Sequence, residues 1–206
     1  MDVFLLSIVI STNKTEEYVY NSGNDMCEIL ALQEFSTLED LKKFPYLREL
    51  CLNECIVDDN TALGELTKLE NLKLDGYSID SLDRLKNLTA LKSLIIQGAE
   101  FEDLQALKEL TNMEELRLPN NNIKNIDALE KMTNLEELIL YGNQIKNISA
   151  LRKLCKLRVL KLEGNLIEDV EPLMNLKNLE KLSLGDNPVK NVQLLENLTG
   201  TDIDLE

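Results

Sequence analysis

Catalytic chemistry needs residue types that this chain does not carry. It has no histidine among its 206 residues, so a Ser-His-Asp or Cys-His pair has no base. It has no Gly-rich phosphate loop of the GxxxxGK[ST] kind, no GxGxxG turn and no GxSxG elbow. The carboxylate pairs Asp58–Asp59 and Asp202–Asp204 lack the ligand number and spacing of a calcium loop and read as solvated acidic turns. Cys51 and Cys55 form a CxxxC step, a poor redox pair, and zinc is excluded because neither His nor CxxC occurs. The expectation is a protein with no enzymatic activity, cofactor or metal. The remaining chemistry is recognition: aromatic and aliphatic side chains beside charges of both signs. Ile95, Glu115, Arg117, Glu137, Ile139, Tyr141, Val159, Lys161 and Glu163 are the candidate partner-binding residues.

Those nine residues fall at fixed places in a 22-residue period. Copies start at Leu47, Leu69, Leu91, Met113, Leu135, Leu157 and Leu179 and run to Gly200 without insertion or deletion. Positions 1, 4, 6, 11, 14, 17 and 20 of every copy are Leu, Ile, Val, Met or Phe, with Asn60 the one exception. Positions 4 and 6 alternate as in a short strand, so position 5 points the other way. Positions 14, 17 and 20 recur every third residue, which suits a short 3-10 turn with one edge inward. Position 9 is Asn121, Asn143, Asn165 and Asn187 in the last four copies and Cys55, Tyr77 and Ala99 in the first three. An amide there has donors and an acceptor for backbone groups where the chain leaves the strand. A ladder of such amides is expected, weaker toward the N-terminal end.

This pattern resembles the leucine-rich repeat family. The resemblance implies an α/β right-handed solenoid (a horseshoe), with a parallel sheet on the concave face and short helical or 3-10 turns on the convex face. A single domain over residues 1–206 is expected. Residues 1–46 would be two degenerate cap repeats, because Val3, Leu6 and Ile8, then Phe35, Leu38, Leu41 and Phe44, keep the register. Residues 47–200 are the seven copies, and 201–206 a terminal cap strand one residue out of register. Within the family, NNNIKNIDALEKMTNLEEL and GNQIKNISALRKLCKLRVL look like repeats of phosphatase 1 regulatory subunits, with internalin-type surface receptors as the alternative. Phosphatase-binding relatives use acidic and aromatic concave residues, which Glu115, Glu137, Tyr141 and Glu163 match in type.

Function is then expected on outward positions 3, 5 and 7. These carry five acids (Glu49, Asp75, Glu115, Glu137, Glu163) and four bases (Lys73, Arg117, Lys161, Lys181), although the whole chain is at −15. A mixed-sign face suits specific ion pairs with a protein. It does not suit nucleic acid, which needs clustered Lys and Arg. Tyr141 is the one aromatic residue at these positions, with Ile139 and Val159 beside it and Ile95 extending the patch. An aromatic anchor with aliphatic neighbours is what a binding hot spot looks like. Cys27, Cys51, Cys55 and Cys155 lack the clustering of a disulfide-bonded cap, so reduced thiols in the cytoplasm or nucleus are expected. Val3–Ile10 is too short to span a bilayer and lacks the basic flank and cleavage site of a signal peptide. No membrane partner and a monomeric state are expected, with one protein partner on the concave face.

Overall fold

The computed structural model describes residues 7–11, 41, 46–53, 61–75, 79 and 81–206. Nine strands form one parallel sheet, each beside its neighbour in the chain. They are β1 (Ser7–Ser11), β2 (Glu49–Asn53), β3 (Asn71–Asp75), β4 (Ser93–Ile96), β5 (Glu115–Arg117), β6 (Glu137–Ile139), β7 (Val159–Lys161), β8 (Lys181–Ser183) and β9 (Asp202–Asp204). The sheet is open, with β1 and β9 as its edges. From β2 to β8, residues 22 apart face each other, as Leu116 does Leu138 and Leu138 does Leu160. An uninterrupted repeat length gives every strand the same register, so one inward leucine column stacks on the next. Between strands the chain returns through short 3-10 turns such as Leu82–Leu85, Asp127–Lys131 and Ser149–Lys153.

The core lies between these two layers. Leu116, Leu118, Ile123, Ile126, Leu129 and Met132 of one repeat are fully enclosed, and so are their counterparts Leu138, Leu140, Ile145, Leu151 and Leu154 in the next. Each such side chain contributes about 1.5–3 kcal/mol of burial, and it does so only because a neighbouring repeat covers it. The last repeat is looser, and Val192, an inward template position, is 42% exposed.

The two ends depart from a strict period. At the C-terminal end Leu182 faces Ile203, a 21-residue step, as the out-of-register terminal strand requires. At the N-terminal end Ile8 faces Leu50 and Ile10 faces Leu52. The expected alignment put Val3, Leu6 and Ile8 opposite Leu47, Leu50 and Leu52, with a further repeat between. Instead β1 sits directly against β2, two residues out of that step. The run Ile8-Val9-Ile10 is continuously apolar, so a strand there keeps alternate apolar residues at the register positions of Leu50 and Leu52. Val3, Leu6, Phe35, Leu38 and Phe44, with Cys27, Cys55, Tyr77, Asp58 and Asp59, lie outside the described residues. Among the described residues no helix is long and apolar enough to cross a membrane.

Candidate functional site: the strand face and its rim

The strand face is held in place by side-chain amides just past it. Asn143 Nδ2 donates to three carbonyls: Leu140 at 2.9 Å, Tyr141 at 3.3 Å and, from the preceding repeat, Leu118 at 3.1 Å. Its Oδ1 accepts from the Ile123 amide at 3.0 Å. Asn165 repeats the pattern on Leu162, Glu163, Leu140 and Ile145, and Asn187 repeats it on Leu184, Gly185, Leu162 and Ile167. Asn121, Asn143 and Asn165 are 5%, 6% and 3% exposed, so these bonds form away from water. A buried amide satisfying four backbone groups is the expected ladder, and it reaches Ala99, whose N–H donates to Asn121 Oδ1 at 2.9 Å.

One position earlier the chain must reverse. Gly98, Asn120, Gly142, Gly164 and Asp186 all have positive φ, from 53° to 68°, which glycine adopts freely and Asn and Asp tolerate. At Gly142 space also decides: an added Cβ would stand 2.3 Å from Asn120 Oδ1. The amides of Asn120 and Gly142 bond the Tyr141 and Glu163 carbonyls at 2.9 and 2.8 Å. Tyr141 and Glu163 therefore project from backbone that is tied on both sides.

All nine candidate residues are half-buried on the strand face, while the residues between them point inward and are buried. Neighbours across the sheet are Ile95 with Arg117, Arg117 with Ile139, Ile139 with Lys161, and Glu137 with Val159. Ile139, Tyr141 and Val159 thus lie together on β6, just past it, and on β7. Ile95 is separated from them by Arg117. That guanidinium is paired by charge: its Nε lies 2.6 Å from Glu115 and 2.9 Å from Glu137, although its enclosed N–H is aligned as a hydrogen bond with neither. Glu115 in turn accepts a 2.5 Å hydrogen bond from Ser93 Oγ. One oxygen of Glu163 is enclosed and accepts no hydrogen bond.

Two outward assignments at position 7 are corrected. Pro119 and Gly185 are buried, whereas Tyr141 and Glu163 at the same position of the two repeats between them are half-exposed. At Gly185 the Glu206 backbone carbonyl lies against the glycine, 1.8 Å from where a Cβ would be.

A second set of residues was not singled out from the sequence. Position 2 forms a charged rim at the start of the strands. Arg48 and Lys92 flank Glu70 at 2.6 and 2.8 Å, and Arg158 grips Glu180 with two bonds of 2.9 and 3.2 Å. The hydrogen bond from Lys92, assisted by Lys92 and Arg48 charge, holds the Glu70 carboxyl below its ordinary value against the opposing effect of burial. The hydrogen bond from Arg158 does the same for Glu180. The signal was available, because reading position 2 alone down the period shows alternating charge. Position 13 has a structural part as well: Asn125 accepts the Asp127 amide at 2.7 Å, as Asn147 and Asp169 accept those of Ser149 and Glu171, both at 2.9 Å. Each caps a 3-10 turn.

Comparison with known proteins bears on this face. A search of the curated proteins found no match. A family model described as leucine-rich repeats (2 copies) matches residues 111–153, 133–174 and 155–200. Among solved structures the chain is similar to internalin C2 of Listeria monocytogenes, with 32% identity over 84% of this chain and 76% of that one, TM-score 0.80. It is similar to internalin F of the same bacterium, with 28% identity over 81% of this chain and 56% of that one, TM-score 0.72. The leucine-rich repeat ectodomain of the Arabidopsis thaliana receptor kinase GASSHO1/SCHENGEN3, solved in complex with Casparian strip integrity factor 2, is 25% identical over 76% of this chain and 20% of that one, TM-score 0.65. Period, ladder, parallel sheet and these matches agree: the chain belongs to the leucine-rich repeat proteins.

Proposed function

We propose that the protein is a non-catalytic recognition scaffold that binds a protein partner on the strand face, centred on Ile139, Tyr141 and Val159. The observation that carries this reading is the contrast between fully buried Leu138, Leu140 and Leu160 and the half-exposed apolar residues among them. An aromatic ring set on backbone tied by Asn120 and Asn143 loses little freedom on binding, which favours an anchor. The plant receptor ectodomain, solved in complex with Casparian strip integrity factor 2, supports recognition as the use of the fold.

Regulation of a phosphatase is the narrower form of this reading. It rests on residue type at Glu115, Glu137, Tyr141 and Glu163, and implies an intracellular setting. A surface recognition receptor is the second reading, favoured by the similarity to two internalins. Thiol titration separates the settings: free Cys27, Cys51, Cys55 and Cys155 fit the first, paired thiols the second.

The test of the shared core is a capture experiment from the native cell with wild-type and Tyr141→Ala baits, followed by calorimetry on the captured protein. Tyr141→Ala and Ile139→Glu should each weaken that partner by at least about 2 kcal/mol, at an unchanged melting temperature. Full affinity in both variants places the binding site elsewhere.

A further inference from the structure

Resting on the strand face as the binding surface, we infer that the segment seated there is basic as well as apolar, with a lysine or arginine side chain entering the rim between Glu114 and Glu136. Down the period, rim position 2 reads Arg48, Glu70, Lys92, Glu114, Glu136, Arg158, Glu180. Opposite charges adjoin at every step except Glu114 to Glu136. Their two possible partners are drawn away from the gap. Lys92 is bonded to Glu70 at 2.8 Å, and Glu114 makes no ion pair among the described residues. Arg158 is bonded at 2.9 and 3.2 Å to Glu180, which leaves it 3.9 Å from Glu136.

The next column inward deepens the deficit. Glu115 and Glu137 share one guanidinium, that of Arg117. Glu114, Glu115, Glu136 and Glu137 bring four negative charges against the two positive charges of Arg117 and Arg158, a local balance of −2. Strands about 4.8 Å apart keep the like charges close.

What makes this a docking surface rather than a solvated acidic edge is its continuity with the apolar patch. A depression of about 400 Å³ is lined by Glu114, Glu115, Glu136, Glu137, Arg158 and Val159. Val159 is also the diagonal neighbour of Ile139 across the sheet, since it faces Glu137 while Ile139 faces Lys161. A chain that sets its cation between Glu114 and Glu136 thus lays its next side chains on Ile139 and Val159. Ile139 is three residues beyond Glu136, about 10 Å along the strand. Side chains on one side of an extended segment recur about every 7 Å, so the cation and the apolar residue should be two to four positions apart. Opposite charge at a rim of this kind mainly sets partner choice and encounter rate, while the apolar anchor sets residence.

The experiment pans a phage-displayed library of random dodecapeptides on the full chain. The wild type, the Glu114→Gln/Glu136→Gln double variant and Tyr141→Ala are compared, and enriched sequences are remade as synthetic peptides for calorimetry. The expected wild-type consensus has Lys or Arg two to four positions from Leu, Ile, Phe or Tyr. Its affinity at low salt should fall about tenfold or more in the double variant, with a weaker salt dependence and a melting temperature no lower than wild type. Basic peptides bound equally well by the double variant overturn the inference. Peptides that lack a basic residue but are lost in Tyr141→Ala also overturn it, and leave the strand face standing. Peptides indifferent to all three substitutions, or no enrichment at all, overturn both this inference and the reading on which it rests.

Discussion

β2 and β3 run five residues each, whereas β5 to β8 run three. In the earlier repeats backbone pairing carries through position 7, as between Asn53 and Asp75. In the later repeats the strand ends at position 5, the position-7 carbonyls still accept main-chain amides such as those of Asn120 and Gly142, and a buried Asn takes up the position-6 carbonyls and adds a second bond at position 7. Part of the work of the sheet has passed from main chain to side chain. The exchange matters for recognition, because Tyr141 and Glu163 occupy position 7 and their carbonyls are among those the amides hold. The comparison indicates that a solenoid can present a side chain rigidly past the end of its strand if an amide ladder replaces the lost pairing.

The largest expected effect breaks the frame common to both regions. Leu138→Glu puts an unpaired charge into fully enclosed core at a cost of about 3–5 kcal/mol or more, and should abolish the cooperative thermal transition seen by circular dichroism. Asn143→Leu should come next. It leaves the Ile123 amide without its acceptor, at roughly 1–3 kcal/mol, and takes one donor each from the Leu118, Leu140 and Tyr141 carbonyls, which keep those of Asn121, Asn165 and the Asn120 amide. Asn125→Ala removes only a turn cap and should cost about 1 kcal/mol. Equal melting temperatures for Asn143→Leu and Asn125→Ala would remove the distinction between ladder and cap.

A smaller effect should follow acidification. Hydrogen bonds and nearby charge lower the carboxyls of Glu70, through Lys92 and then Arg48, of Glu130, through Lys153, and of Glu180, through Arg158. The Glu171 backbone amide and the Asn191 side chain lower that of Asp169. A carboxyl lowered by folding contributes stability that is present above its ordinary value and lost as pH falls through the lowered one. The melting temperature should therefore hold from pH 7 to near the ordinary glutamate value of 4.5, and fall below it. A decline that is complete above pH 5 would contradict these assignments. The smallest effect sharpens the comparison: Ala99→Asn should extend the ladder by one rung and raise stability by about 0.5–1 kcal/mol.

Most of the fold was legible because one 22-residue period repeats with apolar residues at fixed places. Strand positions, 3-10 turns, the Asn ladder and the terminal register slip all follow from it. The cap was not, because the run from Val3 to Ile10 is apolar at nearly every position and offers alternate apolar residues in more than one register, between which periodicity alone cannot choose. The face was legible as a set of positions but not in its internal pairing. That Arg117 lies between Glu115 and Glu137, and that Pro119 and Gly185 are buried while Tyr141 and Glu163 are not, depends on neighbours from other repeats, such as the Glu206 carbonyl over Gly185. The rim was missed because its information lies across repeats rather than along them. The bond from the Asp127 amide to Asn125 has no mark in the sequence, because an Asn that serves the turn two residues on looks like any exposed Asn.

The most direct measurement is amide hydrogen exchange at Ile123, Ile145 and Ile167. These N–H groups lie outside every strand and 3-10 turn, and each donates to an Asn side chain of the following repeat at 3.0 Å. The ladder predicts protection comparable to that of the β6 amides, with Ile123 losing it selectively in Asn143→Leu. Exchange of all three at the rate of exposed loop amides in the wild type would contradict the claim that side-chain amides hold this face in place.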